Sequence, residues 1–179
     1  MIRVANCLLA SCKHSNRDYL YNASDICYGS IVPKKRSSPR SGCPINVSLE
    51  MLGDRWSLLI IRDLMFRGFR TYKELLESEE GIATNILADR LKRLETCGII
   101  STEEDANDRR KLIYRLTSKG IDLAPVLVDL ILWGSRYEDT AAPPALVRKM
   151  EKNRAAFLSE LRARWAAGES GSVTPKDRR

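Results

Sequence analysis

Gly81-Ile82-Ala83-Thr84-Asn85-Ile86-Leu87-Ala88-Asp89-Arg90-Leu91-Lys92-Arg93-Leu94-Glu95-Thr96-Cys97-Gly98 decides how this chain folds. The segment Thr84–Thr96 has helical spacing and lies between two glycine stops. At about 100° per residue, Leu87, Leu91 and Leu94 share one stripe, while Asn85, Asp89, Lys92 and Thr96 gather opposite. The leucine stripe predicts a helix docked on a core. Its other side carries hydrogen-bonding groups that face outward.

Upstream, Arg70-Thr71-Tyr72 leads into a short helix through Glu74, Leu75, Leu76 and Glu77. Downstream, Ile99–Glu103 and Lys111–Leu116 read as two strands. Asp105, Asn107 and Asp108 favour the turn between them, and Arg109-Arg110-Lys111 puts three consecutive cations there. Helix, tight turn, helix and two strands is the layout of a winged helix-turn-helix, mainly α with a small β-wing. Such modules usually engage duplex DNA. In that layout Thr84, Asn85, Ala88, Asp89 and Lys92 are the candidates for facing bases. Asn pairs bidentately with adenine, Lys with guanine, and an Ala methyl contacts the thymine methyl. Asp89 brings a negative charge beside phosphates, so its alternative role is to orient Arg90 or Arg93. Arg70, Tyr72, Arg93, Arg109, Arg110 and Lys111 are assigned to phosphate positioning.

The folded region is expected to begin at Cys43, with Pro44 at a first helical position and Ile45, Leu49 and Leu52 at helical spacing up to Gly53. Asp54 is a candidate N-cap for a second helix, Arg55–Arg67, whose apolar residues nearly surround its axis. Thr117 caps a long helix running to Trp133-Gly134, kinked by Pro125. Apolar residues cover most of that helix, and a small core can bury only one side. A second copy of the chain is therefore expected on the remaining face, through Ile45, Leu49, Val126, Leu127, Leu130 and Trp133. Trp56 and Trp133 are also read as core residues. After Ala141-Ala142-Pro143-Pro144, one last amphipathic helix carries Leu146, Met150, Phe157, Leu161 and Trp165 on a single face. The organisation expected is a poorly ordered basic extension over 1–42, a winged-helix domain over 43–140, and a helix with a disordered tail over 141–179.

Charge is distributed unevenly. The chain carries +7 overall, made of +5 in residues 1–42, −3 in 43–140 and +5 in 141–179. The core is mildly acidic, so the placement of cations at Arg90, Lys92, Arg93 and Arg109–Lys111 is more informative than the total. Leu9-Ala10-Ser11-Cys12 looks like a lipoprotein cleavage motif, but the apolar stretch before it is short and broken by Asn6 and Cys7. No apolar run reaches the length of a membrane span. A leader of no function, or a start nearer Cys43, is the expectation for residues 1–42; a basic arm on DNA is the alternative.

From Cys43 to Tyr137 the sequence resembles the HxlR-type winged helix-turn-helix regulators of bacteria. The resemblance rests on Cys43-Pro44, on Leu52-Gly53-Asp54-Arg55-Trp56-Ser57-Leu58-Leu59-Ile60-Ile61-Arg62-Asp63-Leu64, and on Leu87-Ala88-Asp89-Arg90-Leu91. It continues through Gly98-Ile99-Ile100, Tyr114-Arg115-Leu116-Thr117-Ser118-Lys119-Gly120 and Trp133-Gly134. Asp108-Arg109-Arg110 with Leu116–Gly120 also looks like MarR-type regulators; the Cys-Pro start and the Gly-Asp-Arg-Trp segment favour HxlR. The resemblance implies a homodimer built from the first and post-wing helices, on a pseudo-palindromic duplex operator. It implies as well that the cysteine before Pro44 acts as a thiol sensor in some members, with an oxidant or small-molecule inducer. Ala83 departs from the serine usual at the cap of the recognition helix, which removes an acceptor worth about 1 kcal/mol.

Cys43 sits where a helix N-terminus stabilises a thiolate, and its competing reading is a small residue before Pro44 without a signalling role. Five cysteines without a CxxC, and His14 as the single histidine, give no metal site and point to reduced thiols in a cytosol. No cofactor and no catalysis are expected, because a Cys–His pair would need His14 from the leader. The second function class is a winged-helix protein-interaction module without sequence-specific DNA binding.

Overall fold

The computed structural model describes residues 41–169 of the 179-residue chain. Of the extension expected over 1–42, residues 1–40 lie outside the described residues, as do residues 170–179 of the expected tail. Helix α1 (Pro44–Leu52) starts on Pro44, where a missing N–H leaves no bond unmade, and ends as Gly53 N donates to Leu49 O at 2.7 Å. None of its residues is buried. Helix α2 (Arg55–Arg62) begins under the Asp54 carboxylate, which accepts from Trp56 N at 2.9 Å and Ser57 N at 3.0 Å.

The α2 helix does not run on to Arg67 as expected. Asp63–Arg67 forms a π turn closed by Gly68 in the left-handed region, φ 72°. The wider turn has a packing consequence: Asp63, Leu64, Met65 and Phe66 are all buried, four in succession. A regular α-helix would turn part of such a run outward. The Asp63 carboxylate is compensated inside the fold by Arg62 at 2.8 Å, Arg67 at 3.4 Å and the Ser78 hydroxyl at 2.8 Å.

Helix α3 (Tyr72–Leu76) opens with a capping box, Thr71 Oγ1 accepting from Glu74 N and Glu74 Oε2 accepting from Thr71 N. Helix α4 (Thr84–Thr96) buries Leu87, Leu91 and Leu94, the stripe expected of it. Strands β1 (Ile100–Glu104) and β2 (Leu112–Leu116) pair antiparallel, with Ile100 opposite Leu116 and Glu104 opposite Leu112. Tyr114 N donates to Arg70 O at 2.7 Å, which ties the hairpin to the segment before α3.

Pro125 breaks the post-wing helix instead of kinking it. Helix α5 (Ser118–Ile121) ends first, and α6 (Ala124–Tyr137) restarts with Pro125 in its first turn, the place where proline is tolerated. The last helix is also two. Asn153 ends α7 (Pro144–Lys152) in extended backbone and caps α8 (Arg154–Ala166), accepting from Ala156 N at 3.0 Å. Met150, Phe157 and Leu161 from this hairpin join the same hydrophobic core as Ile61, Leu87 and Leu116. Phe157 stacks on Phe66 with ring centres 6.5 Å apart.

Two apolar residues land opposite to expectation. Leu127, expected on the face between two copies, is 5% exposed and packs in the protomer's own core, buried on α6 like Val128. Trp133 is 59% exposed and not core, while Trp56 packs half-buried under the Arg55 guanidinium, 5.0 Å from its ring centre.

Gly120 lies where α5 meets the start of β1, and a Cβ there would fall 2.2 Å from Ile99 O. That carbonyl accepts from Thr117 N at 3.0 Å. Gly120→Ala is expected to lower unfolding free energy by about 1–3 kcal/mol, read as a fall in melting temperature by circular dichroism. Asp54→Ala is expected to cost about 1–2 kcal/mol and Asp54→Asn less, since Asn keeps an acceptor for the cap. Partial burial alone pushes the Asp54 carboxyl up, but bonds from Ser57 and Trp56 and the Arg90 charge outweigh it and hold the group below its ordinary value. Its stabilising contribution is thus full above the unfolded carboxylate range and lost as pH falls through the lower folded value. Urea unfolding of wild type and Asp54→Asn across acid pH checks this by the convergence of the two curves.

Candidate nucleic-acid interface

The outward side of α4 is fully available. Thr84, Asn85, Ala88, Asp89 and Lys92 are all exposed, while Leu87, Leu91 and Leu94 fix the opposite side in the core. Ala83 holds the N-cap position in extended backbone without a side-chain bond, and Thr84 does not replace it. A different group steadies this end: the Tyr72 hydroxyl donates to Thr84 O at 2.8 Å. Tyr72, assigned to phosphate contact, is thus a brace between α3 and the start of α4.

Midway along α4, Arg90 is half-buried and lies 3.2 Å from Asp54 and 3.2 Å from Asp89. The ion pair with Asp89 is the contact that its alternative role of orienting Arg90 calls for, and Asp89 itself stays exposed. The pair with Asp54 anchors α4 to the first turn of α2, a link that sequence spacing did not expose because the two residues lie far apart in the chain. Lower on the helix, the exposed Arg93 guanidinium donates to Glu50 O of α1. Lys119 Nζ donates to Cys97 O at 2.7 Å, a cation at the C-terminal end of α4.

Arg70 corrects a phosphate assignment. Its Nη1 donates to Leu64 O at 2.6 Å and Phe69 O at 2.8 Å, and its Nη2 to Glu169 O at 3.4 Å. Leu64 lies in the π turn, Phe69 just after it and Glu169 beyond α8, so both terminal nitrogens of this guanidinium hold backbone. Partial burial and the nearby Arg115 charge both lower its pKa, as befits a cation turned inward.

The wing tip is built for exposure of its cations. Asp105 Oδ1 accepts from Asn107 N at 2.7 Å and Asp108 N at 3.1 Å, an Asx turn that shapes the loop. Arg109, Arg110 and Lys111 are all exposed. Asp108 lies 3.3 Å from Arg110 Nε and 3.7 Å from Lys111 Nζ; the Arg110 backbone N–H, then its side chain, hold this carboxyl below the ordinary range. Arg109 carries no such tie among the described contacts. Next to these cations Leu112 is exposed as well, at the edge of β2. One signal readable in the sequence was missed, the Thr71–Glu74 capping box; Asp54 was expected as a cap, and its pairing with Arg90 adds to that role.

The two remaining sets of residues lie on other elements, α1 and α6. Cys43 is exposed at the N-cap of α1. Ile45 and Leu49 on α1, and Val126, Leu130, Trp133 and Tyr137 on α6, form exposed apolar stripes; Ile45 is 71% and Tyr137 63% exposed.

Residues 51–142, just over half of the chain, match the family described as HxlR-like helix-turn-helix. The uncharacterized HTH-type transcriptional regulator sll1512 of Synechocystis sp. PCC 6803 is 37% identical over 95 residues, 53% of this chain and 70% of that protein. YodB, an HTH-type transcriptional regulator of Bacillus subtilis 168, is 35% identical over 96 residues, 53% of this chain and 85% of YodB. The chain spans 60% of the length of the mycobacterial relatives it matches. Among solved structures, PA1607, assigned as a transcription factor, superposes with TM-score 0.52 at 36% identity, covering 58% of this chain and 71% of that one. The chain therefore belongs to the HxlR-like helix-turn-helix family, and it is a transcriptional regulator of the winged-helix type.

Proposed function

We propose that this regulator acts as a homodimer on a pseudo-palindromic duplex operator, in the cytoplasm. The observation that carries the reading is α4: a buried leucine stripe, and an outer side on which Thr84, Asn85, Ala88 and Lys92 are free of the core. Asn85 and Lys92 supply base-edge contacts, and Asp89 keeps Arg90 in place. Arg109, Arg110 and Lys111 supply phosphate contacts from the wing. Arg70 and Tyr72 act through the scaffold. Among the described residues no helix is long and apolar enough to cross a membrane. Relatives of this chain are regulators and not enzymes, and no catalysis is proposed.

The homodimer reading is supported by α1, a helix of nine residues that buries none of them within the protomer. Helices this short are marginal in water without packing. Val126, Leu130, Trp133 and Tyr137 recur at helical spacing on α6 and give a second bare stripe. Two copies joined through these stripes set the distance between two α4 helices. Cys43, at the exposed start of α1, is then the position where a thiol adduct would disturb that spacing. The relative YodB is known in diamide-treated and quinone-bound forms, and we extend such sensitivity to Cys43 as part of this proposal.

Fluorescence anisotropy on the chain's own promoter fragment against scrambled DNA tests the reading. Asn85→Ala is expected to cost about 1–3 kcal/mol on the operator and little on scrambled DNA. Arg109→Gln should weaken binding to both alike and reduce the salt slope by about 1. Equal, salt-insensitive binding to all fragments, also after selection from random DNA, would replace the regulator by a protein-interaction module. For the dimer, Trp133→Glu is expected to give monomers in sedimentation velocity at concentrations where wild type is paired. Diamide should release wild type from the operator and leave Cys43→Ser bound; equal release of both would remove Cys43 from the switch.

A further inference from the structure

A cavity of about 80 Å³ lies between the π turn, β2, α5 and α8. Its floor is apolar, with Ile121, Leu161 and the Trp165 ring. Three arginines, Arg70, Arg115 and Arg164, and the Glu169 carboxylate complete the lining. Each group is held in place by the fold. Arg70 is fixed by the carbonyls of Leu64 and Phe69, and its buried Nε makes no hydrogen bond. Arg115 pairs through Nε with Glu103 across the wing hairpin. Arg164 Nε lies 3.3 Å from Glu169 Oε2. The Trp165 indole N–H donates to Leu116 O at 2.8 Å, which locks the ring against β2.

We propose that this cavity binds a small monocarboxylic acid with an apolar body. Arginine forks match a planar carboxylate, and the apolar floor takes the rest of the acid. Glu169 marks the place, since its own carboxylate already pairs there with Arg164. Partial burial first, and the Arg115 charge second, lower the basicity of Arg70 against the opposing Glu74 charge, and an anion in the cavity offsets both. A volume of about 80 Å³ amounts to roughly five to eight water-sized positions, enough for such an acid and too little for a nucleotide. The acid displaces the Glu169 carboxylate and reaches β2, a strand of the wing. Any effect on DNA rests on the reading above; the binding site itself does not.

Isothermal titration of the full-length protein with benzoate and hexanoate, with benzyl alcohol as the neutral control, tests this directly. The expected result is saturable binding of at least one acid and none of the alcohol. Arg115→Gln should weaken it by about tenfold or more. Glu169→Gln, which removes the internal competitor, should tighten it by about two- to fivefold. The opposite directions of the two variants guard against simple loss of folding, and melting temperatures are recorded for both. Binding of neither acid, equal binding of the alcohol, or an acid affinity unchanged in both variants would overturn the proposal. DNA anisotropy repeated with saturating acid separates the two readings, since the site can bind its ligand whether or not the operator responds.

Discussion

One carboxylate ties α4 to the first turn of α2. Asp54 accepts the N–H groups of the second and third residues of α2 and the Ser57 hydroxyl at 2.5 Å, and it faces Arg90 of α4 at 3.2 Å. Ser57 is itself fully buried, so the carboxylate sits at the edge of the core and not in free solvent. An ion pair at such a half-buried site gains more than one at the surface, because less of its attraction is screened by water. The outer face of α4 owes its orientation to this contact, to the leucine stripe beneath it and to the Tyr72 brace at its start.

A second polar cluster holds the far end of α2. Asp63 is buried, and Arg62, Arg67 and Ser78 surround it, with Glu80 adding a bond to Arg62 at 2.7 Å. Partial burial alone would lower the Arg62 pKa, but the Asp63 and Glu80 charges outweigh it and raise the group above its ordinary value. These residues join the π turn to the connection between α3 and α4. Charged groups so arranged add little net stability compared with an apolar core, but removing one partner strands the others. They fix a geometry, and here that geometry is the seat of the π turn against the α3–α4 connection.

The apolar accounting of the protomer is uneven. The wing domain and the α7–α8 hairpin share one core, through Phe66 on Phe157 and through Met150 and Leu161. The stripes of α1 and α6 take no part in it. A chain that gathers distant helices into its core yet leaves Trp133 and Ile45 in water has a specific use for those faces, which is the physical ground for the proposed pairing of two copies.

Local pattern determined much of this protein. The leucine spacing of α4, the two strands and their turn, Pro44 at a helix start and the cap at Asp54 depend on neighbours within a few residues, and the sequence displays them directly. Family membership was legible for the same reason, in runs such as Gly53-Asp54-Arg55-Trp56. Tertiary structure decided the rest. Arg70 looks like any surface cation until the π turn supplies carbonyls for it. Leu127 and Trp133 are both apolar and on one helix, and only the docking of α6 sends one inward and leaves the other bare. Asn153 and Pro125 split helices that periodicity alone joins, since a regular pattern does not report where the backbone is interrupted. The cavity beside Trp165 is drawn from residues of four elements far apart in the chain. Charge, period and capping are properties of short sequence, whereas which of two equivalent side chains is buried depends on what the fold brings against it.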